Sequence, residues 1–185
     1  MLAFIGSVGP RLEKISPQIT ADPRPQGGSF FRIHRDLRFS RDKRPYKTHA
    51  GAHFRHGAGR NVHAPGMYLH LEPGEVLAAA GIWHPASREL GLIRDAIVDD
   101  PELWRKIRRL PPSLQFGGEL LKRAPKGYDP EHPLIDDLKR KDFYCVVHFD
   151  ETQALEAQFM TRFVRAMRSA SPLMHFLCDA LDLPW

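Results

Sequence analysis

The feature that most constrains the fold is a pair of strand-like segments joined by a tight turn. GMYLHLEP and VLAAAGIWH are joined at Glu72-Pro73-Gly74-Glu75. Proline and glycine supply the backbone angles that a turn needs. The flanking segments have the composition of strands. The sequence therefore predicts a β-hairpin in the middle of the chain.

Further segments are predicted to extend this hairpin into a sheet. Branched and aromatic residues favour strands. They predict a strand at FFRI, one in THAGAHFRH, a short one at SLQF and the clearest one at DFYCVVHF.

Most of the chain after the hairpin has helical periodicity. Ser87 is predicted to cap a helix, and Asp100-Pro101 offers a cap followed by proline at the first helical position. Asp150 with Gln153 fits a capping box, and Ser171-Pro172 predicts the start of a last helix. Near the N-terminus, helical spacing is interrupted at Gly9-Pro10, so a stable helix there is expected to be marginal.

The order of these elements indicates the fold class. Strands come first and helices follow, without regular βαβ alternation, and this order favours an α+β fold. We expect a mostly antiparallel sheet with the helices packed mainly on one face. A chain of 185 residues is most simply one domain, covering residues 1–185.

Positive charge is concentrated in one part of the chain. The formal net charge is +5, yet residues 32–60 alone carry nine Lys/Arg against two Asp. The rest of the chain is slightly acidic, with eighteen Lys/Arg against twenty Asp/Glu. Local positive charge raises the nearby concentration of anions. The alternative is a solvated face with ordinary ion pairs.

Two basic segments, residues 32–60 and residues 122–126, therefore supply the candidate ligand-binding residues. Arginine forks and lysine ammonium groups match phosphate or carboxylate. The candidates are Arg35, Arg38, Lys43, Lys47, Lys122, Arg123 and Lys126. Arg35 could instead pair with Asp36 or Asp42 and fix a loop. We also expect the two segments to lie near each other, because an external anion would offset their mutual repulsion.

Histidines and tyrosines near these cations are the candidates for orienting a ligand or moving protons. They are Tyr46, His49, His84 and Tyr128. Histidine titrates near neutral pH, which suits acid–base chemistry. His49 and His53 have the spacing of a helical metal pair, but Gly51 argues against a helix. On a strand they would lie about 13 Å apart. No metal site is therefore expected.

The sequence lacks the features of several classes of protein. Cys145 and Cys178 lie in apolar surroundings, which favours buried free thiols over a disulfide or zinc site. No Walker loop, nucleophile elbow or other cofactor fingerprint is present, so no cofactor is expected. The N-terminal sequence does not fit a signal peptide, and no apolar run approaches the length of a membrane span. A cytoplasmic protein is expected.

The succession of motifs resembles a known family. FRIHRDLRFSRDKRPYKTHAGAHFRH, HAPGMYLHLEPGE, AGIWHP, LKRAPKGYDPEHPLIDDLKRKDF and SPLMHFLCDALDLPW are similar to sequences of the bacterial and fungal domain of unknown function 2461. The resemblance covers about residues 10–185. It implies a single α+β domain with a shared surface built from these motifs, and no established reaction.

The sequence departs from the family pattern at its N-terminus. Members of that family usually begin with further helical sequence, including an Asn-rich, Trp-Phe element, ahead of the position of Met1. We therefore expect a chain that starts inside the family's leading helix. Phe4 and Val8 are expected to pack on the domain and to leave apolar surface that a longer segment would cover.

Three functional hypotheses follow from the sequence. The leading one is a site for an anionic small molecule, with cofactor-independent acid–base chemistry as an extension. The second is nucleic-acid binding, because Phe39, Tyr46 and Phe54 are interleaved with the cations. The third is a structural or partner-binding domain in which the cations pair with carboxylates.

Overall fold

One antiparallel sheet organises the molecule. The computed structural model describes residues 1–35, 38, 43–58 and 63–185. Within these residues the strands are β1 (Ile19–Thr20), β2 (Ala50–His56), β3 (Gly66–Glu72), β4 (Glu75–Ile82), β5 (Gln115–Phe116) and β6 (Phe143–Phe149). Their spatial order is β1-β2-β3-β4-β6-β5. The predicted hairpin is confirmed, since β3 pairs with β4 from Gly66↔Gly81 to Glu72↔Glu75.

Apart from the first, the helices come after the β3–β4 hairpin in the chain, and β5 and β6 lie between them. They are α1 (Leu2–Glu13), α2 (Ser87–Asp99), α3 (Pro101–Ile107), α4 (Ile135–Leu138), α5 (Glu151–Leu155), α6 (Phe159–Ser169) and α7 (Ser171–Ala180). The α+β class is confirmed. No helix in the described part of the chain has the length and apolar character that crossing a membrane requires.

Alternation along the strands places the core on one face of the sheet. Phe54 of β2 and Leu69 of β3 are fully buried. The Phe54 ring lies 5.7 Å from the ring of Phe163 in α6. Trp104 of α3 packs between Phe143 of β6 and the ring of Phe176 in α7. Because side chains alternate across a strand, the residues between these core positions point to the other face.

The N-terminal helix forms despite its internal proline. Proline removes one backbone hydrogen bond in a helix, here the one that would reach the Gly6 carbonyl. Gly6 and Pro10 both lie on the exposed side, where water can satisfy that carbonyl. Val8 is fully buried, and the Phe4 ring lies 5.7 Å from that of Phe163. Their predicted packing is confirmed, and tertiary contacts outweigh the weak local preference.

Two local predictions differ from the structure. FFRI does not form a continuous strand: Phe30 makes an isolated bridge to Ala52, and the Phe31 amide donates to the Gly51 carbonyl. The chain then leaves this edge of the sheet. Ser87 is the first residue of α2 and not its cap, and Ala86 precedes it without a side-chain cap. The Asp100 cap is confirmed, because its carboxylate accepts from the Leu103 amide at 2.9 Å.

Candidate functional site on the polar face of the sheet

The face of the sheet opposite the core carries a cluster of titratable side chains. We call it the polar face and define it by His53, Tyr68, His70 and Glu72. The strand register brings these residues together: His53 lies opposite Tyr68, and Gly51 opposite His70. All of them are partly exposed, whereas the residues that alternate with them at Ala52, Phe54, Met67 and Leu69 are buried.

Three of these residues form a continuous polar chain along β3. The Tyr68 hydroxyl lies 3.0 Å from His70 Nδ1, and His70 Nε2 lies 3.3 Å from Glu72 Oε2. Thr48 donates a hydrogen bond to the other oxygen of Glu72. Both hydrogen bonds lower the pKa of the Glu72 carboxyl, and the bond from Thr48 has the larger effect. The chain of contacts can orient the imidazole and can pass a proton between tyrosine and carboxylate.

A glycine makes room for this arrangement. A side chain at Gly51 would bring its Cβ within 2.7 Å of the Tyr68 hydroxyl and 3.1 Å of the Phe31 ring. Because real Cβ atoms essentially never come within 3.0 Å of another heavy atom, a side chain at this position would displace the Tyr68 hydroxyl from its place across the neighbouring strand.

His49 joins the cluster from the segment that enters β2. Its ring lies 4.8 Å from that of His70, tilted by 30°. Partial burial lowers the pKa of His49, and the charges of His70 and Lys47 lower it further. Arg35 contributes to the same shift. The first basic segment therefore places positive charge beside the polar face.

A short ladder holds that basic segment in position. The Arg35 amide donates to the Pro45 carbonyl, and the Lys47 amide donates to the Ile33 carbonyl. Phe31 lies against the polar face, 5.9 Å from the Tyr68 ring, and the Lys47 ammonium lies 5.8 Å from the Phe31 ring. A cation over an aromatic ring is favourable, so the Phe31 ring, which neighbours Tyr68, supports the Lys47 ammonium.

The remaining candidates of this segment have different surroundings. Tyr46 is 55% exposed, and its ring lies 5.2 Å from that of His34. Arg38 and Lys43 are exposed and take part in interactions of their own. Asp36 and Asp42, the two suggested partners of Arg35, and Phe39 lie outside the described residues.

The second basic segment is followed by Tyr128, which attaches it to helix α2. The Tyr128 hydroxyl donates to Asp95 of α2 at 2.7 Å, and burial together with this acceptor raises the pKa of Tyr128 to about 12. Tyr128 therefore stays protonated and acts as an anchor. The exposed Lys122, Arg123 and Lys126 lie in the loop that this anchor holds. Their convergence with Arg35 and Lys47 on one anion stays a prediction.

His84 occupies a separate place at the end of β4. Its backbone is in the left-handed region, with φ at 48°. The buried carboxylate of Asp142 accepts from the His84 amide at 2.7 Å and lies 3.5 Å from Nδ1. Trp83, 65% exposed, lies against the His84 ring at 4.1 Å. Asp142 thus holds a strained turn in which His84 remains accessible.

His49, Arg35 and Lys47 were predicted from the sequence as candidates, whereas Tyr68, His70 and Glu72 were not. The missed residues alternate along GMYLHLE, which is the pattern of one face of a strand. That alternation is a signal from which they could have been found. Their contact with His49 could not be predicted, because it depends on the register between β2 and β3.

The fold and this surface define a class of protein: an α+β domain with helices on one side of its sheet and a polar, histidine-rich face on the other. The chain belongs to the family described as conserved hypothetical protein DUF2461, whose model matches residues 1–176. The resemblance of its motifs to that family is thereby confirmed. Neither the curated proteins nor the solved structures contain a match to the chain.

Proposed function

We propose that the protein binds an anionic small molecule, bearing phosphate or carboxylate, at the polar face of its sheet. The observation that carries this proposal is the short ladder that holds Arg35 and Lys47 together, with the Lys47 ammonium 5.8 Å from the Phe31 ring at the polar face. A phosphate or carboxylate placed there would meet two cations from the same short ladder. An anion at this position would be attracted by both positive charges.

The polar face adds groups that would orient such a ligand. Tyr68 can donate a hydrogen bond, and the imidazole of His49 offers a second polar contact beside Lys47. Aromatic support of Lys47 by Phe31 limits how far the ammonium group can move. Donors that are already positioned bind at a lower entropic cost than flexible surface chains.

The test is a titration of inorganic phosphate followed by amide chemical shifts in NMR spectra. Shifts are expected to cluster around residues 31–35, 45–51 and 68–72. Lys47→Ala is expected to weaken binding about tenfold, the effect of losing roughly 1.4 kcal/mol from a charge-assisted contact. Higher salt should weaken the remaining binding, because exposed charges are screened.

Two variants make this test specific. Lys106→Ala removes an exposed lysine from α3, on the helical side of the sheet, and should bind phosphate as the wild type does. Lys126→Ala asks whether the second basic segment contributes to the same site. Equal phosphate affinity in the wild type and Lys47→Ala would refute the proposal. Binding of single-stranded DNA in strong preference to phosphate would favour the nucleic-acid hypothesis.

A further inference from the structure

Two imidazoles and one carboxylate converge at the end of the polar face. His49, His70 and Glu72 each offer one ligand atom, and these atoms all lie within 4.8 Å of one another. The register explains the convergence. Ala50 pairs with Leu71, so the preceding residue, His49, comes opposite Glu72. His70 stands two residues before Glu72 on the same face.

From this geometry we propose that His49, His70 and Glu72 form a half-open binding site for a divalent first-row transition metal such as Zn²⁺ or Co²⁺. Two imidazoles and a carboxylate are a donor set that suits these ions. The inference does not depend on binding of an anionic molecule.

The distances are close to those that a metal would impose. With metal–ligand bonds of about 2.1 Å, neighbouring ligand atoms in a tetrahedral site lie about 3.4 Å apart. His70 Nε2 and Glu72 Oε2 are already 3.3 Å apart. His49 then has to close the remaining gap. Its ring lies in the segment just before β2 begins and is only partly buried, so a rotation of the side chain can supply the movement.

Neighbouring side chains hold two of the three ligands in place. The Tyr68 hydroxyl lies 3.0 Å from the far nitrogen of His70, and Thr48 donates to the far oxygen of Glu72. Hydrogen bonds of this kind fix the ring orientation and the tautomer of a metal-binding histidine. A metal on His70 Nε2 requires the proton on Nδ1, and this N–H can donate a hydrogen bond to the Tyr68 hydroxyl oxygen.

The charges around the cluster are compatible with a dication. Glu75 Oε2 lies 3.8 Å from His70 Nε2 and brings a second carboxylate to the rim of the site. Glu72 and Glu75 together would neutralise a divalent ion. The positive charges of Lys47 and Arg35 would repel the bound ion. The same charges would attract an anionic group to the open coordination position of the metal.

The experiment uses Co²⁺ as an optical probe on the full chain, stripped of metal with a chelator and kept in phosphate-free buffer at pH 7.5. One equivalent of Co²⁺ is expected to produce visible d–d absorption, and Zn²⁺ should abolish it by displacement. His70→Ala and Glu72→Gln are each expected to weaken Co²⁺ binding at least tenfold. Far-UV circular dichroism would confirm that both variants fold.

His148→Gln is the matched control, since it removes an exposed histidine from the same face without touching the cluster. It should bind Co²⁺ as the wild type does. Binding by His70→Ala and Glu72→Gln at wild-type affinity would overturn the proposal, as would the lack of stoichiometric binding by the wild type. Intense near-ultraviolet charge-transfer bands would also overturn it, because they would place the metal on a cysteine thiolate.

Discussion

At the scale of single residues, His53 shows how the polar face affects stability. Burial, and then the charge of Arg55, lower the pKa of its imidazole from 6.5 to about 4. The folded protein therefore keeps His53 neutral at pH values where the unfolded chain is protonated. Because the unfolded state binds more protons in that interval, stability must fall as the pH is lowered from about 6.5 to about 4.

We expect His53→Gln to remove this component of the acid sensitivity. The upper limit of the effect is about 3 kcal/mol, from 1.36 kcal/mol per pH unit, and contact with solvent reduces it. Urea unfolding at pH 7 and pH 4.5 would measure the loss of stability in each protein. His148→Gln should lose as much as the wild type. Equal losses in the wild type and His53→Gln would show that burial of His53 does not contribute to the acid sensitivity.

The two cysteines illustrate which residue-scale inferences the sequence supports. Burial raises the pKa of both Cys145 and Cys178 to about 12, and both are free thiols. Their apolar neighbours in the sequence were sufficient to predict that both are buried free thiols. The environment of His49 was not predictable in the same way, since its neighbours His70 and Glu72 come from another strand.

At the scale of elements, the start of β6 organises the loops at one end of the sheet. The carboxylate of Asp142, which is 2% exposed, accepts from the His84 amide after β4 and from the Glu119 amide after β5. Arg94 of α2 donates to the carbonyls of Leu138 and Arg140 just before β6. These contacts join α2, β4 and β5 to a single short segment.

Asp142→Asn is expected to lower the free energy of unfolding by about 1–3 kcal/mol, because asparagine keeps only one acceptor oxygen and one of the two backbone amides would lose its partner. Amide hydrogen exchange should accelerate at His84 and Glu119 beyond any change in β2 and β3. Asp136→Asn, at a side chain that is 84% exposed, serves as the control and should leave these rates unchanged. A uniform acceleration over the whole sheet would contradict this local role for Asp142.

The elements themselves could largely be predicted from local sequence. The β3–β4 turn, the Asp100 cap and the clear strand at β6 each follow from residues adjacent in the chain. The prediction was weaker at α1, where packing of Val8 and Leu12 overrides the effect of Pro10. It also failed for FFRI, because the chain leaves the edge of the sheet after Phe31.

At the scale of the whole molecule, the two faces of the sheet differ in chemical character. One face, with Phe54 and its partner Phe163, is buried and supplies the core. The opposite face carries His70 and Glu72 in partly exposed positions. The polarity of each face was predictable from alternation, whereas the strand order that assembles the polar cluster depends on pairings between segments far apart in the chain.

This separation predicts that stability and ligand binding respond to different substitutions. Phe54→Leu should lower the free energy of unfolding by about 1–3 kcal/mol, because it leaves space beside Phe163. It should leave phosphate affinity unchanged, since Phe54 faces away from Lys47. Lys47→Ala should do the reverse, with weaker phosphate binding and stability within about 0.5 kcal/mol of the wild type. Urea unfolding and the phosphate titration, made on both variants, would measure each quantity. If Phe54→Leu weakened phosphate binding as much as Lys47→Ala does, the two faces would be coupled and this division of tasks would be wrong.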